Sequence, residues 1–297
     1  MSDKGMGRRR FLKYSAATLG VSLMGTSPSF SAGSKKDTKL YKALKIGMLP
    51  KKLSDAEKFK LAKRCGFDGI DGEPMEDHDA AEEQAQLARD AGVPIHGLVF
   101  GGWHAPFSEA NPKVIQKGLA GMENALRCAN AMKATTVLLV PALVKENVSY
   151  GDAYKRSQKH IRELIPLAEE VKVIIAIENV WNKFLLSPLE FARYIDEFES
   201  PWVRVYFDVG NVIIHGYAQD WIRTLNKRIV KIDLKDFKRA GYKWTNLGDG
   251  DVNWAEVRRA LDEIGFEGYM TAELEGGDEA YLSDLAQRID ELIIKAK

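Results

Sequence analysis

Eight times between about residue 45 and the C-terminus, a short run rich in apolar and β-branched residues gives way to a longer segment of helical periodicity. The runs are KIGMLP, GIDGEP, PIHGLVF, TTVLLVP, VIIAIEN, VRVYFDV, IVKIDLKDF and YMTAELE. The helical patterns begin near Ser54, His78, Asn111, Tyr150, Ser187, Gln219, Asn253 and Asp278. Several carry start signals: Ser54 has Glu57 three residues on, Asn111 precedes Pro112, and Ser187 precedes Pro188 and Glu190. Strands that alternate with helices through short links must run parallel, because each helix carries the chain back to the starting edge. Eight such units in about 250 residues predict a single (β/α)8 TIM barrel over residues 44–297, with a doubly wound open sheet as the alternative. No linker or low-complexity segment breaks the pattern after residue 40.

Four acids stand at or near the ends of four of these runs: Glu178, Asp208, Asp233 and Glu273. Alternate residues of a barrel strand face the lumen. In VKIDLKDF, Ile232 and Leu234 are the natural outward pair, which leaves Lys231, Asp233 and Lys235 inward. By the same phase Glu178 follows Ala176, Asp208 follows Tyr206, and Glu273 follows Thr271. All four acids then converge at the C-terminal mouth, the end at which barrel enzymes place their active sites. Buried carboxylates need a shared cation or a hydrogen-bond network. An all-oxygen set suits a hard divalent ion, Mn2+ first and Mg2+ or Co2+ next. The competing reading is an ion network without metal, in which Lys231, Lys235 and Arg239 neutralise the acids.

Composition narrows the partners. Lys and Arg number 43 against 42 Asp and Glu, so the chain offers no excess positive field for a nucleic-acid backbone. Cys65 and Cys128 lack the spacing of a zinc or redox motif and read as buried thiols. No run of about eighteen apolar residues predicts a membrane span. At the N-terminus, Arg8-Arg9-Arg10-Phe11-Leu12-Lys13 precedes a mild apolar stretch and the small-residue run SPSFSAGS. It resembles a twin-arginine export signal over residues 1–32, with Gly7 in place of the usual Ser or Thr, followed by a short linker to residue 43. The expectation is an exported protein, periplasmic or extracellular.

Taken together, IENVWNKFLLSPLEFARYID, YFDVGNVIIHGYAQDWIRTLNKRI, DLKDFKR, NLGDGDVNW and GFEGYMTAELEGG resemble the sugar phosphate isomerase/epimerase superfamily with a xylose isomerase-like barrel, over roughly residues 44–297. The resemblance implies metal ligation by Glu178, Asp208, Asp233 and Glu273, with Asp233 standing where the family usually has His. Asn211 stands where its epimerases often carry a substrate-holding His, and Arg239 matches a family arginine that binds substrate oxygens. Endonuclease IV shares the barrel but needs a histidine-rich three-metal site, against which Asn211 and Asp233 argue.

Two carboxylates flanking a metal-chelated carbonyl can remove and return an α-proton, since enediolate charge then develops beside the cation. By family analogy they are Glu178 and Glu273. The expected substrate is a ketose or keto-sugar derivative. The outcome is epimerisation or isomerisation; elimination from a 3-keto-glycoside and sugar binding without catalysis are the alternatives. Around the mouth, His104 and Trp103 in the loop FGGWHAPFSEAN, Glu73 and Asp71 ending strand two, and Lys235 are candidate substrate contacts. For Glu73 and Asp71 a solvated strand end is the plainer reading. Barrels of this type often pair, which makes a homo-oligomer possible, but no interface can be read from the sequence.

Overall fold

The structure is a computed structural model that describes residues 39–296. The twin-arginine segment lies outside the described residues. Eight parallel strands close into a barrel: β1 (Leu40–Lys45), β2 (Gly69–Gly72), β3 (Ile95–Gly101), β4 (Thr136–Leu139), β5 (Ile174–Glu178), β6 (Val203–Asp208), β7 (Ile229–Leu234) and, after two short strands outside the barrel, β10 (Gly268–Ala272), which returns beside β1. Helices α1 (Asp55–Arg64), α2 (His78–Asp90), α3 (Pro112–Met132), α4 (Tyr150–Val171), α5 (Pro188–Asp196), α6 (Ala218–Leu225), α7 (Trp254–Ile264) and α8 (Glu279–Ile289) follow the barrel strands in turn. This is the (β/α)8 TIM barrel that the alternation demands.

The helix starts follow the capping chemistry. Ser54 and Glu57 form a reciprocal capping box on α1, and the side chains of Asn111 and Ser187 cap α3 and α5 ahead of Pro112 and Pro188. Strand phase divides the apolar residues into two layers. Ile175, Ile177, Val205, Phe207, Ile232 and Leu234 pack with the helices, while Leu138, Val140, Ala176 and Tyr206 form a small cluster of their own within the barrel.

Two elements differ from the sequence reading. The first strand is Leu40–Lys45, and the run KIGMLP instead passes through a 3-10 turn at Ile46–Met48. Leu40–Lys45 pairs with β10 in register from Leu40–Gly268 to Leu44–Ala272, and Lys45 aligns with Asp71 on β2. The barrel contacts of six paired residues outweigh the apolar appeal of Met48 and Leu49, which the turn buries anyway. The second is IVKIDLKDF, which is two strands rather than one. β7 ends at Leu234, and β8 (Asp236–Lys238) forms an antiparallel hairpin with β9 (Lys243–Thr245) over the mouth.

Asp236 makes that break. Its buried carboxylate accepts from the backbone N–H groups of Phe237, Gly248 and Val252 and from Trp254 Nε1, which pins the segment NLGDGDVNW beneath the hairpin. A Cβ on Gly250 would stand 2.1 Å from Asp236 Oδ1, so only glycine fits there.

A candidate metal and sugar site at the barrel mouth

Glu178, Asp208, Asp233 and Glu273 each offer a carboxylate oxygen, and the four oxygens lie within 4.8 Å of one another. Three of the residues are buried, and the Glu273 side chain is 36% exposed. Each acid follows a lumen-facing residue by two positions, so the strand pleat carries it inward. The backbone of Asp208 is clasped by Asn179: its N–H donates to Asn179 Oδ1 at 2.9 Å, and its carbonyl accepts from Asn179 Nδ2 at 2.9 Å. The N–H of Asn211 donates to Asp208 Oδ1 at 2.7 Å.

Two lysines enter the cluster. Lys235 Nζ lies 3.2 Å from Asp208 Oδ2 and 2.8 Å from Glu273 Oε2. Lys45 Nζ lies 2.9 Å from Asp233 Oδ2 and 3.3 Å from Asp71 Oδ2. Lysines 45 and 235 thus face carboxylates 178, 208, 233 and 273, two positive charges against four negative, and Lys45 is shared with Asp71 besides. Beyond these ammonium contacts, Asp208 Oδ2, both oxygens of Asp233 and Glu273 Oε2 have no hydrogen-bond partner among the described residues. Buried carboxylate oxygens in this state are costly. A divalent cation supplies the missing charge and the missing partners together, so the residues present fit one.

Electrostatics separate the acids. Burial, and then repulsion from Glu273, drive the Glu178 carboxyl well above the usual range. Burial also pushes Asp233 up, more than the nearby Lys45 pulls it down, and raises Asp208 against Lys235. For Glu273 burial acts upward too, but Lys45 and Lys235 together outweigh it and hold the group low. Burial opposes the charge on Lys45, and Asp233 and Asp71 more than restore it.

The other expected site residues are distributed unevenly. Lys235 is in the cluster, its ammonium 5.5 Å from the centre of the Trp244 ring. Asn211 is buried and committed to scaffold, its Nδ2 donating to the Asn179 carbonyl and its own carbonyl accepting from Trp181 Nε1. Arg239 stands exposed, donating to the Gly216 carbonyl and lying over Tyr217, with no ion pair to the acids. Trp103, His104 and Glu73 are exposed on loops after β3 and β2, and only Phe100 is recorded against the His104 ring.

The metal-free network therefore has different members from those expected. Lys231 bonds to His96, and Lys45 takes the place given to Lys231 and Arg239. Asp71 is no solvated strand end: it is 1% exposed, accepts from Tyr206 Oη and pairs with Lys45. Lys45 was hidden by placing strand one too late. In LYKALK it shares the phase of buried Ala43, and a strand ending at residue 45 puts it at the mouth.

Beside the acids, a cavity of about 580 Å3 is lined by Lys235, Trp244, Thr245, Asn246, Glu273, Leu274, Glu275 and Tyr281. Trp244 stacks on Trp181 with ring centres 4.9 Å apart, and both rings are about two-fifths exposed. A cavity of this size with one aromatic wall and convergent charged groups suits a small polar ligand.

The chain is similar to several known proteins. A putative L-ribulose-5-phosphate 3-epimerase of Haemophilus influenzae is 25% identical over 252 residues, covering 77% of this chain and 88% of that protein. The structure of a D-psicose 3-epimerase superposes with a TM-score of 0.72 at 16% identity, covering 86% of this chain and 99% of the other. That of a 3-keto-D-glucoside 4-epimerase from E. coli does so with a TM-score of 0.71, also at 16% identity and with the same coverage. The family described as xylose isomerase-like TIM barrel matches residues 59–292, and the chain belongs to that family.

Proposed function

We propose that this protein is a divalent-metal-dependent sugar epimerase or isomerase acting on a ketose or keto-sugar derivative. The observation that carries the reading is the mouth itself: four converging carboxylates with only two ammonium groups to neutralise them. The epimerase relatives support the reaction class.

Glu178, Asp208, Asp233 and Glu273 would hold the ion, Mn2+ by preference of an all-oxygen set. A bound divalent cation would stabilise the negative charge that builds on the substrate oxygen as the α-proton leaves. The two glutamates divide the proton work. One of them takes the α-proton and the other returns it, both standing beside the ion and the substrate carbonyl. Lys235 is the cation nearest both the cavity and the acids and would orient substrate oxygens. Trp244 and Trp181 offer an apolar wall for a sugar ring, with Trp103, His104, Glu73 and Arg239 at the rim. Asn211 serves by fixing Asp208.

Exchange of substrate α-protons with solvent tests the reading. With a panel of ketoses and 3-keto-glycosides in D2O, NMR should show deuterium entering beside the carbonyl, stopping on chelation and resuming with Mn2+. Released aglycone would move the assignment to a lyase, and sugar binding without exchange would move it to a binding protein. Export by the twin-arginine route belongs to the same reading. The protein should appear outside the cytoplasm on fractionation and remain inside when Arg8 and Arg9 are replaced by Lys.

A further inference from the structure

The barrel has a second cavity, of about 400 Å3, at the N-terminal ends of its strands and so at the opposite end from the acids. Its lining includes His96, Thr135, Thr136, Lys231 and Tyr269, with Lys133 and Glu267 as exposed charges of opposite sign. Lys231 is only 4% exposed and makes no ion pair among the described residues. Its Nζ lies 2.6 Å from His96 Nδ1 and 3.3 Å from the His96 carbonyl. An ammonium can only donate, so Nδ1 accepts and the imidazole carries its proton on Nε2. That Nε2 has no partner, nor has Thr136 Oγ1, and both side chains are more than nine-tenths buried.

The imidazole is fixed in place. Tyr269 stacks on it with ring centres 3.9 Å apart and 6° between planes, and a Cβ on Gly69 would collide with both rings, 2.5 Å from Tyr269 Cε1 and 2.9 Å from His96 Cδ2. The nearest carboxylate, Asp71, aligns with Gly97 and gives its Oδ2 to Lys45 and Tyr206, while its Oδ1 lies 3.7 Å from His96 Nδ1. Among the described residues the cavity wall thus holds an ammonium with no ion pair, over the Tyr269 ring, and a buried imidazole nitrogen and hydroxyl without hydrogen-bond partners, with Asp71 behind His96 as the buried carboxylate nearby.

We propose that this cavity is a binding site for a small oxyanion, a phosphate or a carboxylate, held by Lys231, His96 and Thr136. Such an ion would give Lys231 the direct ion pair it lacks and accept from the two orphaned donors at once. The site is independent of the chemistry at the mouth.

Calorimetry on the full-length, chelator-treated protein in a non-coordinating cationic buffer tests it, titrating inorganic phosphate, sulfate and acetate separately. One saturable site is expected for at least one anion. Binding should be abolished in Lys231→Met, weakened about tenfold in Thr136→Val, which keeps shape and removes only the hydroxyl, and unchanged in Lys235→Met at the mouth. Preference for phosphate and sulfate over acetate would assign the site to phosphate-like ions, and the reverse to carboxylates. No saturable binding, or binding kept by Lys231→Met and lost in Lys235→Met, would overturn the proposal. Circular dichroism of each variant shows that loss of binding is not loss of fold.

Discussion

The two ends of this barrel solve opposite charge problems with the same strand. β7 and the residue that follows it place Lys231, Asp233 and Lys235 in one lumen phase, and each meets a different environment. At the mouth, Asp233 joins three other carboxylates and shares Lys45 with Asp71, so negative charge is left over. Two steps deeper, Lys231 meets a neutral imidazole, a carbonyl and the face of Tyr269, with no ion pair among the described residues. Alternation alone explains why all three point inward. What each does there depends on neighbours contributed by β1, β2, β3 and β10, far away in sequence. An inward charge is thus a prediction of function only once its partners across the barrel are known.

The contrast implies that the two buried lysines are not equivalent. Removing Lys45 by Lys45→Met strands Asp71 and Asp233 as buried, uncompensated charges, which should cost about 3–5 kcal/mol of stability. Lys231→Met removes a cation that forms no direct ion pair and should cost only about 1 kcal/mol, the value of its hydrogen bonds. Equal losses in urea unfolding would erase the distinction between the two ends.

Proton transfer comes next. Glu273→Gln keeps the shape of the mouth but removes one of the two proton-transferring carboxylates, and should slow α-proton exchange by about 10²–10⁴-fold with the fold intact. A variant that exchanges at the wild-type rate would show that Glu273 moves no proton.

A smaller effect separates the middle of the lumen from both ends. Burial acts to raise the Asp71 carboxyl, but Lys45, His96 and Lys231 bring it down to about 2. Its folded value lies below the unfolded value of about 3.9, so the stabilisation is fully present above about pH 4 and is lost as the pH falls toward 2, an amount on the order of 2 kcal/mol. Asp71→Asn should flatten that acid limb of the stability curve. The smallest change is expected from Asn211→Ala, about 1 kcal/mol. It frees the Asn179 carbonyl while leaving the Asn211 N–H bond to Asp208, so thermal unfolding should move by only a few degrees.

The fold was legible in the sequence because its signals are local. Cap residues, β-branched runs and their period belong to segments of ten to twenty residues, and Ser54, Asn111 and Ser187 cap the helices they announce. The acids were legible for a similar reason, since the alternation within each strand sets their inward phase, as Ile232 and Leu234 do for Asp233. Lys45, Asn179 and the Asp71–Tyr206 pair were not, because their roles arise from register between strands. The hairpin after β7 was missed as well. IVKIDLKDF reads as one continuous strand, and only the four groups converging on Asp236 show why it breaks.

Metal binding tests the central claim most directly. Calorimetry with Mn2+ on chelator-treated protein, checked by elemental analysis, should find one ion per chain in the wild type and none in Asp233→Ala or Glu273→Ala. A wild-type protein that binds no divalent ion would mean that Lys45 and Lys235, with protons on the remaining acids, complete the cluster by themselves, and the account of the mouth as a metal centre would be wrong.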